Sequence, residues 1–429
     1  MYDYRYENKE QINFIIDMRS FYASIEIASL GLDTKTTPLV VVSKRENYGS
    51  GLVMSASPVA KEMFGLSNVS RARDLPKDPR LLIATPRMDY YIKQNMKINE
   101  IFNRYTSFDD IYSYSIDESL LDMTHSWNLF GDSPFDVALK IQKDIKDELF
   151  IDTKIGIAPT LTMAKIALDV DAKKHPNSIA VWKFDEIPQK LWPIGKLESV
   201  WSIGKNTALK LNSLGIFSVY DLAHTPPYEL RKHFGQRGET LFALAYGVDR
   251  GVISQRVERK EHGLGNSQVL PKDYIKKEEI HLIISEITDH VIKRVHEQGK
   301  QVNLVSLGVG FALNSKKRGF SKRHKMPFHT SDKNKLNQEL ITLFDQSWDG
   351  SPVRYVSVGF GGLQDDEYEQ TGLFDLESKP ENKSKQEEIV EKLQDKFGFK
   401  AVFKASSKLE GGTALYRSSL VGGHNAKKD

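Results

Sequence analysis

Three carboxylates carry the first chemical argument. Asp17 closes the apolar, strand-like segment "INFIIDM" (12–18), and the adjacent pair Asp117 and Glu118 interrupts a second such segment, "IYSYSIDESLLDM" (111–123). Side chains alternate faces along a strand, so one of two neighbouring acids in a flat strand is driven toward the core. A buried, unpaired carboxylate is costly. The pair therefore marks either a surface turn or a bound cation. Hard oxygen ligands converging from strand ends suit two divalent cations, with substrate phosphate and water completing each shell. Acids at strand ends are also common as solvated turn residues, and on these residues alone both readings stand.

Other candidates surround them. Phe21 and Tyr22 follow Asp17 at the start of a helical pattern, where two core aromatics are the plain expectation. Lys61 follows a small-residue strand in "GLVMSASPVAKEMFG". Lys165 lies in "LTMAKIALDVDAKK" at the edge of an apolar face made by Met163, Ile166, Ala167 and Val170. The segment "SIGKNTALKL" (202–211) reads as a tight turn at Ile203 and Gly204 leading into a helix at Lys205. Backbone N–H groups at such a helix start can hold a DNA phosphate, although helix packing explains Gly204 equally well. No phosphate-binding Walker loop, HExxH or GxSxG pattern competes.

The chain that must position these residues has 429 residues, room for two to four domains. Its longest apolar runs, such as "FIIDM", are far too short to cross a membrane, and "MYDYRYENKEQ" lacks the apolar core of a secretory signal. There is no cysteine, which excludes disulfides, thiolate catalysis and cysteine-ligated zinc. A reducing cytoplasm is the expected location. The net charge of +3 conceals an asymmetry: residues 109–150 hold ten acids and three lysines, whereas 314–325, "NSKKRGFSKRHK", hold six Lys or Arg and no acid. In isolation the basic run reads as a solvated loop. An acidic site and a basic arm on one chain nevertheless suit a metal-dependent enzyme acting on a polyanion.

Periodicity gives a mixed α+β architecture on a largely antiparallel sheet. Strands are expected at 12–18, 38–43, 52–57, 111–123 and 153–159, and helices at 19–31, 88–105, 134–150 and 160–174. From about residue 185 short helices dominate, with "LESVWSIGKNTALKLNSLGI" (197–216) read as helix, turn and helix. A third region has a helix in "HLIISEITDHVIKRVHEQG" and strands in "VNLVSLGVGFAL" and "RYVSVGFGGL". Residues 375–390 read as a polar linker.

Together these pieces resemble the Y-family translesion DNA polymerases, in the UmuC-like, UvrX-type branch of Gram-positive bacteria. "FIIDMRSFYASIE" is similar to the first family motif, "YSIDESLLD" to the acidic motif, and "KIGIAPTLTMAKIALD" to a third segment, with the hairpin following in order. The resemblance implies a right hand: palm and fingers at 1–185 (fingers about 31–88) and a small thumb with a helix-hairpin-helix at 186–252. A little finger would follow at 256–365, then a clamp-binding peptide and tail at 366–429. It further implies that Asp17, Asp117 and Glu118, with the Met18 carbonyl, bind two Mg2+ ions, for which Mn2+ could substitute. Phe21 and Tyr22 would line the nucleotide, with Tyr22 as the gate against a ribose 2′-OH, and Lys61 and Lys165 would hold the triphosphate. DNA would meet Ile203, Gly204 and Lys205 of the hairpin and Lys316, Lys317, Arg318, Lys322 and Arg323 of the basic run. Leu52 and Met54 would roof the incoming base.

In "EQTGLFDL" the residues Gln370, Leu373 and Phe374 resemble a peptide that docks on the bacterial sliding clamp through apolar anchors. The implied partners are primer-template DNA, deoxynucleoside triphosphates and that clamp, with a monomeric protein and no membrane. Three departures stand out. Arg19 replaces a frequent second acid, Pro58 replaces a tyrosine with one extra residue between Lys61 and Gly65, and Ser202 replaces the first hairpin glycine. A non-catalytic DNA- and clamp-binding adaptor is the alternative; a palm-fold cyclase would leave the hairpin, basic run and clamp peptide unexplained. The tail beyond residue 400 has no physical role on sequence alone.

Overall fold

The computed structural model describes residues 11–43, 51–255, 263–366, 385–421 and 424–425. Its first sheet has five strands in the order β5-β6-β1-β7-β8, formed by β1 (Asn13–Met18), β5 (Ile111–Ser113), β6 (Glu118–Asp122), β7 (Thr153–Ala158) and β8 (Ile179–Val181). Strand β1 is central and antiparallel to both neighbours. Its near-continuous apolar sequence follows from cover on both faces. Phe14, Ile16 and Met18 enter one core with helices α3 (Met88–Phe102) and α4 (Pro134–Leu149). Ile15 enters another with α5 (Leu161–Val170).

A smaller sheet, β3-β2-β4, joins β2 (Leu39–Val42) and β3 (Val53–Ala56), which lie between α1 (Phe21–Ser29) and α2 (Pro58–Phe64) in the chain, to β4 (Leu82–Ala84), which follows α2. The two helices start differently. Ser57 caps α2 by accepting from the Ala60 N–H, with Pro58 at the first turn. Ser20 precedes α1 in a left-handed conformation and makes no such bond.

The next unit is helical: α6 (Lys205–Ser213), α7 (Val219–His224), α8 (Pro227–Phe234) and α9 (Gln236–Ala245). It shares an apolar core with α5 through Leu211, Leu222, Leu241 and Leu244. Asp249 Oδ2 accepts from both the backbone N–H and the hydroxyl of Thr162, at 3.0 and 2.7 Å, which fastens this unit to the start of α5.

A second large sheet, β11-β10-β12-β9, comprises β9 (Gly263–Tyr274), β10 (Lys300–Phe311), β11 (Gly319–Thr330) and β12 (Val353–Gly361). Helices α10 (Lys277–Glu297) and α11 (Lys333–Ser347) bury Ile280, Ile284, Ile287, Leu336, Leu340 and Phe344 against it.

Four sequence expectations change. The 111–123 strand is two strands around a turn, where the N–H groups of Tyr114 and Ser115 both donate to the Glu118 carbonyl at 3.0 Å. The helix expected before Ile203 shrinks to a single 3-10 turn, Leu197–Ser199. The basic run is a loop only as far as Arg318; from Gly319 it becomes edge strand β11, which pairs with β10. The polar linker gives way to helix α12 (Lys385–Phe397), whose start overlaps its last residues. Strand β9, which carries two Gly and a Pro, gave no alternating apolar signal and was not expected.

The tail folds back on the second sheet unit. Buried Glu286 of α10 accepts at Oε2 from the Thr413 N–H and hydroxyl and from the Ala414 N–H. Tyr274 donates to the Gly411 carbonyl, and Lys404 pairs with Asp289 at 2.7 Å. The tail is thus part of the packing of this unit.

Candidate active site

Register places the site. Asp17 at the end of β1 lies directly opposite Glu118 on β6 and opposite Lys154 on β7. Opposed residues of an antiparallel pair project from the same face, and that face is the one covered by α5. Gly156 sets how closely α5 approaches: a Cβ there would lie 2.1 Å from the Ala164 carbonyl oxygen and 2.7 Å from the Leu168 nitrogen. Only glycine fits, and the close approach brings Lys165 over the carboxylates.

Glu118 is buried, at 8 % exposure. Lys165 Nζ lies 2.7 Å from Glu118 Oε1 and donates to Asp169 Oδ1 at 3.1 Å. Lys165 is thus the ion-pair partner of the buried Glu118 Oε1. Burial raises the Glu118 pKa above the usual carboxylate value despite Lys165. Burial alone would lower the Lys165 pKa, but the contacts with Glu118 and Asp169 outweigh it and the pKa is raised.

Asp17 Oδ1 meets Lys154 Nζ at 3.3 Å. Burial raises the Asp17 pKa and the charge of Asp117 adds to the shift, while Lys154 opposes it. Asp117 sits in the β5–β6 turn, where the Ser115 hydroxyl donates to its Oδ1 at 2.6 Å. Its carbonyl accepts from the Met18 N–H at 2.8 Å, fastening the turn to the end of β1. The opening contradiction is resolved: the turn takes Asp117 out of the strand alternation, and Glu118 alone points into the sheet face.

Among the described residues, no three Asp, Glu or His side chains are gathered closely enough to form a ready-made metal cage. Each carboxylate is instead engaged separately: Asp17 by Lys154, Glu118 by Lys165 and Asp117 by Ser115. The donor set still fits a hard divalent cation. It offers carboxylate oxygens only, from three acids gathered at the end of β1 and in the adjoining turn. Mg2+ binds through one or two carboxylates plus substrate phosphates, so a closed cage is not required.

Lys61 on α2 donates to the Ser20 hydroxyl at 3.5 Å. Burial lowers its pKa, and the nearby charges of Lys154 and Arg19 lower it further. Arg19, Lys61, Lys154 and Lys165 therefore all crowd the acidic site. The half-buried Tyr22 ring lies 4.7 Å from that of fully buried Tyr91 and 5.7 Å from that of Phe21. Tyr91 donates to Glu26 Oε1 at 2.6 Å, and Arg87 grips the same carboxylate with two nitrogens at 3.0 and 2.7 Å. Leu52 and Met54 are half-buried at and beside β3.

The remaining candidates lie on other units. Ile203 is buried, Gly204 caps α6, and Lys205 opens that helix, exposed. Lys316, Lys317 and Arg318 lie in the exposed loop before β11, with Lys317 paired to Asp349 at 2.9 Å. Lys322 and Arg323 are exposed on β11 itself. Gln370, Leu373 and Phe374 lie outside the described residues.

Sequence reading missed Lys154 and the Arg87–Glu26–Tyr91 network. Lys154 is the lone charge in "TKIGIAP", a visible signal, but only strand register shows that it faces Asp17. The Glu26 network joins residues 61 and 65 positions apart, which no local pattern reveals.

Comparison with known proteins agrees with this geometry. The profile of the impB/mucB/samB family matches residues 16–169, and that of its C-terminal domain matches residues 261–373. The chain is 33 % identical over 426 residues to UvrX of Bacillus subtilis (strain 168), whose name ties it to UV-damage repair, covering 99 % of this chain and 100 % of UvrX. It is 31 % identical over 419 residues to "DNA polymerase IV 2" of Halalkalibacterium halodurans, covering 97 % and 99 % of the two chains. A solved Y-family DNA polymerase chimera of Dbh and Dpo4 shares the fold with a TM-score of 0.64 at 20 % identity, over 82 % of this chain and 99 % of the chimera. The chain belongs to the impB/mucB/samB family, the UmuC-like Y-family polymerases, and is a DNA-directed DNA polymerase.

Proposed function

We propose that this polymerase performs error-prone translesion synthesis by two-metal nucleotidyl transfer. The observation that carries the reading is the alignment of Asp17 and Glu118 across β1 and β6, with Asp117 in the adjoining turn. Asp17, Asp117 and Glu118, with the Met18 carbonyl, would hold two Mg2+ ions, or Mn2+ in their place. When bound, such ions lower the pKa of a hydroxyl nucleophile and neutralise a pyrophosphate leaving group.

The chain's own residues supply the positioning. Lys165, already over the carboxylates, and Lys61 are placed to neutralise a triphosphate. Tyr22, backed by buried Tyr91, acts as the wall against a ribose 2′-OH, beside Phe21. Leu52 and Met54 roof the base. In this reading residues 1–185 are palm and fingers, 186–252 the thumb, and 256–365 the little finger.

Primer-template DNA is held by the backbone around Ile203, Gly204 and Lys205 and by Lys316, Lys317, Arg318, Lys322 and Arg323. The protein acts as a cytoplasmic monomer tethered to the sliding clamp through Gln370, Leu373 and Phe374. Among the described residues no helix is long and apolar enough to cross a membrane.

Primer extension on undamaged and lesion-bearing templates, with and without a bacterial sliding clamp, tests this reading. Extension past the lesion, stimulated by the clamp and losing that stimulation in Leu373→Ala/Phe374→Ala, is the expected result. Arrest at every lesion would remove the translesion assignment, and clamp-independent extension would remove the tether.

A further inference from the structure

The residue opposite Asp17 on β7 has no place in the reading above. Lys154 reaches Asp17 Oδ1 at 3.3 Å with both side chains about one-third exposed or less, at 32 % and 27 %. It projects from the same sheet face as Asp17 and Glu118 because the three are register-opposed. Its neighbours make the position electrostatically unusual. Lys154 and Arg19 both lie close enough to Lys61 for their repulsion to be felt there. The carboxylates do not form a cage among the described residues, and two of the three are held by ammonium groups.

We infer that Lys154 is a resident counter-ion of Asp17, which an arriving divalent cation must displace. It acts through Asp17 and is a positioning residue for the metal site, so the inference rests on Asp17 being a metal ligand. Two effects follow from Coulomb's law. In the free enzyme the Lys154 ammonium occupies the oxygen that a metal would take. Once displaced it remains tethered on β7 beside a dication, and that repulsion lowers metal affinity further. Site occupancy in the absence of nucleotide is therefore held down, and the displaced ammonium joins Lys61 and Arg19 as a cationic rim for a polyphosphate.

Mn2+ binding to the nucleotide-free, full-length protein, followed by electron paramagnetic resonance of free Mn2+, tests the inference without reference to catalysis. Lys154→Met removes the charge while keeping an unbranched apolar stem, and its Mn2+ affinity is expected to rise about tenfold. Lys154→Arg keeps the charge and is expected to bind Mn2+ within about twofold of the unaltered protein, by the same electrostatics. Thermal unfolding of both variants establishes that they are folded. Unchanged or weaker Mn2+ binding in folded Lys154→Met would overturn the counter-ion role and leave a structural one.

Asp17→Asn separates this failure from that of the underlying metal assignment. If Asp17→Asn weakens Mn2+ binding while Lys154→Met leaves it unchanged, only the counter-ion role falls. If Asp17→Asn leaves Mn2+ binding unchanged, the metal assignment falls and takes the counter-ion role with it.

Discussion

The two large sheets handle charge in opposite ways. In β5-β6-β1-β7-β8 the charges are few, and all but Asp122 converge at the end of the central strand, largely withdrawn from water. Burial raises the pKa of both Asp17 and Glu118, because desolvation disfavours their charged forms. In β11-β10-β12-β9 the charges are many, all positive along one edge strand, and exposed at Lys322, Arg323 and Lys325. A buried cluster can fix a reacting group to within a fraction of an ångström. An exposed cationic edge cannot, but it can follow a polyanion of any sequence. In the proposed reading the same β architecture serves a chemical site and a binding edge, and the difference lies in whether the charges are desolvated.

If that contrast holds, geometric changes in the first sheet unit should be severe and charge changes on the second should be graded. Apart from loss of the carboxylates themselves, the largest effect is expected from Gly156→Ala. The new Cβ would sit 2.1 Å from the Ala164 carbonyl oxygen, so α5 and Lys165 must shift. Overpacking of this kind costs about 1–3 kcal/mol, and a displacement near 1 Å can cost about 100-fold in rate. Urea unfolding and single-turnover primer extension read the two effects, and wild-type rates would show that helix placement does not matter.

Tyr22→Ala comes next. Its ring is braced by Tyr91 at 4.7 Å, so truncation opens space beside the sugar. Discrimination against ribonucleotides should fall by at least about tenfold, measured as the ratio of kcat/KM for matched deoxy- and ribonucleotides. An unchanged ratio removes the gate role.

On the second sheet, Lys322→Ala/Arg323→Ala should weaken DNA binding uniformly across sequences. Each phosphate contact contributes about 0.9 to the slope of log affinity against log salt concentration. The slope should become shallower by up to about 1.8 if both residues contact phosphate, with the rate at saturating DNA unaltered. A large fall in that rate would break the division between chemistry and binding.

The smallest change expected is a gain. Ser202 adopts φ 75 beside the hairpin turn, a left-handed conformation that costs a non-glycine residue about 1–2 kcal/mol. Ser202→Gly should recover about 1 kcal/mol of that in chemical denaturation. A loss of stability would mean that the serine side chain contributes more than its backbone strain costs.

What was legible in the sequence was local. The apolar run ending at Asp17, the "SIDE" pair and the apolar face around Lys165 announced themselves because each depends on neighbours a few residues away. What was hidden depends on pairing across long stretches of chain. A turn was one of the two readings of the acidic pair, but it is built by hydrogen bonds from Tyr114 and Ser115 to the Glu118 carbonyl, and the residue types do not show that it removes Asp117 from the strand while leaving Glu118 in it. Strand β11 was masked by its own charges, since residues 321–325 are exposed on both rows and so lack the alternation of a half-buried strand. Lys154 shows the same limit: its type was plain, but its partner lies 137 positions away.

The central claim is that the acids at the end of β1 and in the adjoining turn carry the chemistry while DNA is held elsewhere. Single-turnover primer extension by Asp117→Ala/Glu118→Ala, paired with its DNA affinity, tests this most directly. We expect extension to fall by at least about 1,000-fold, as for loss of a principal electrostatic element of a transition state, with DNA affinity within about threefold of wild type because the proposed phosphate contacts lie on other units. Extension at the wild-type rate by the folded double variant would contradict the assignment outright.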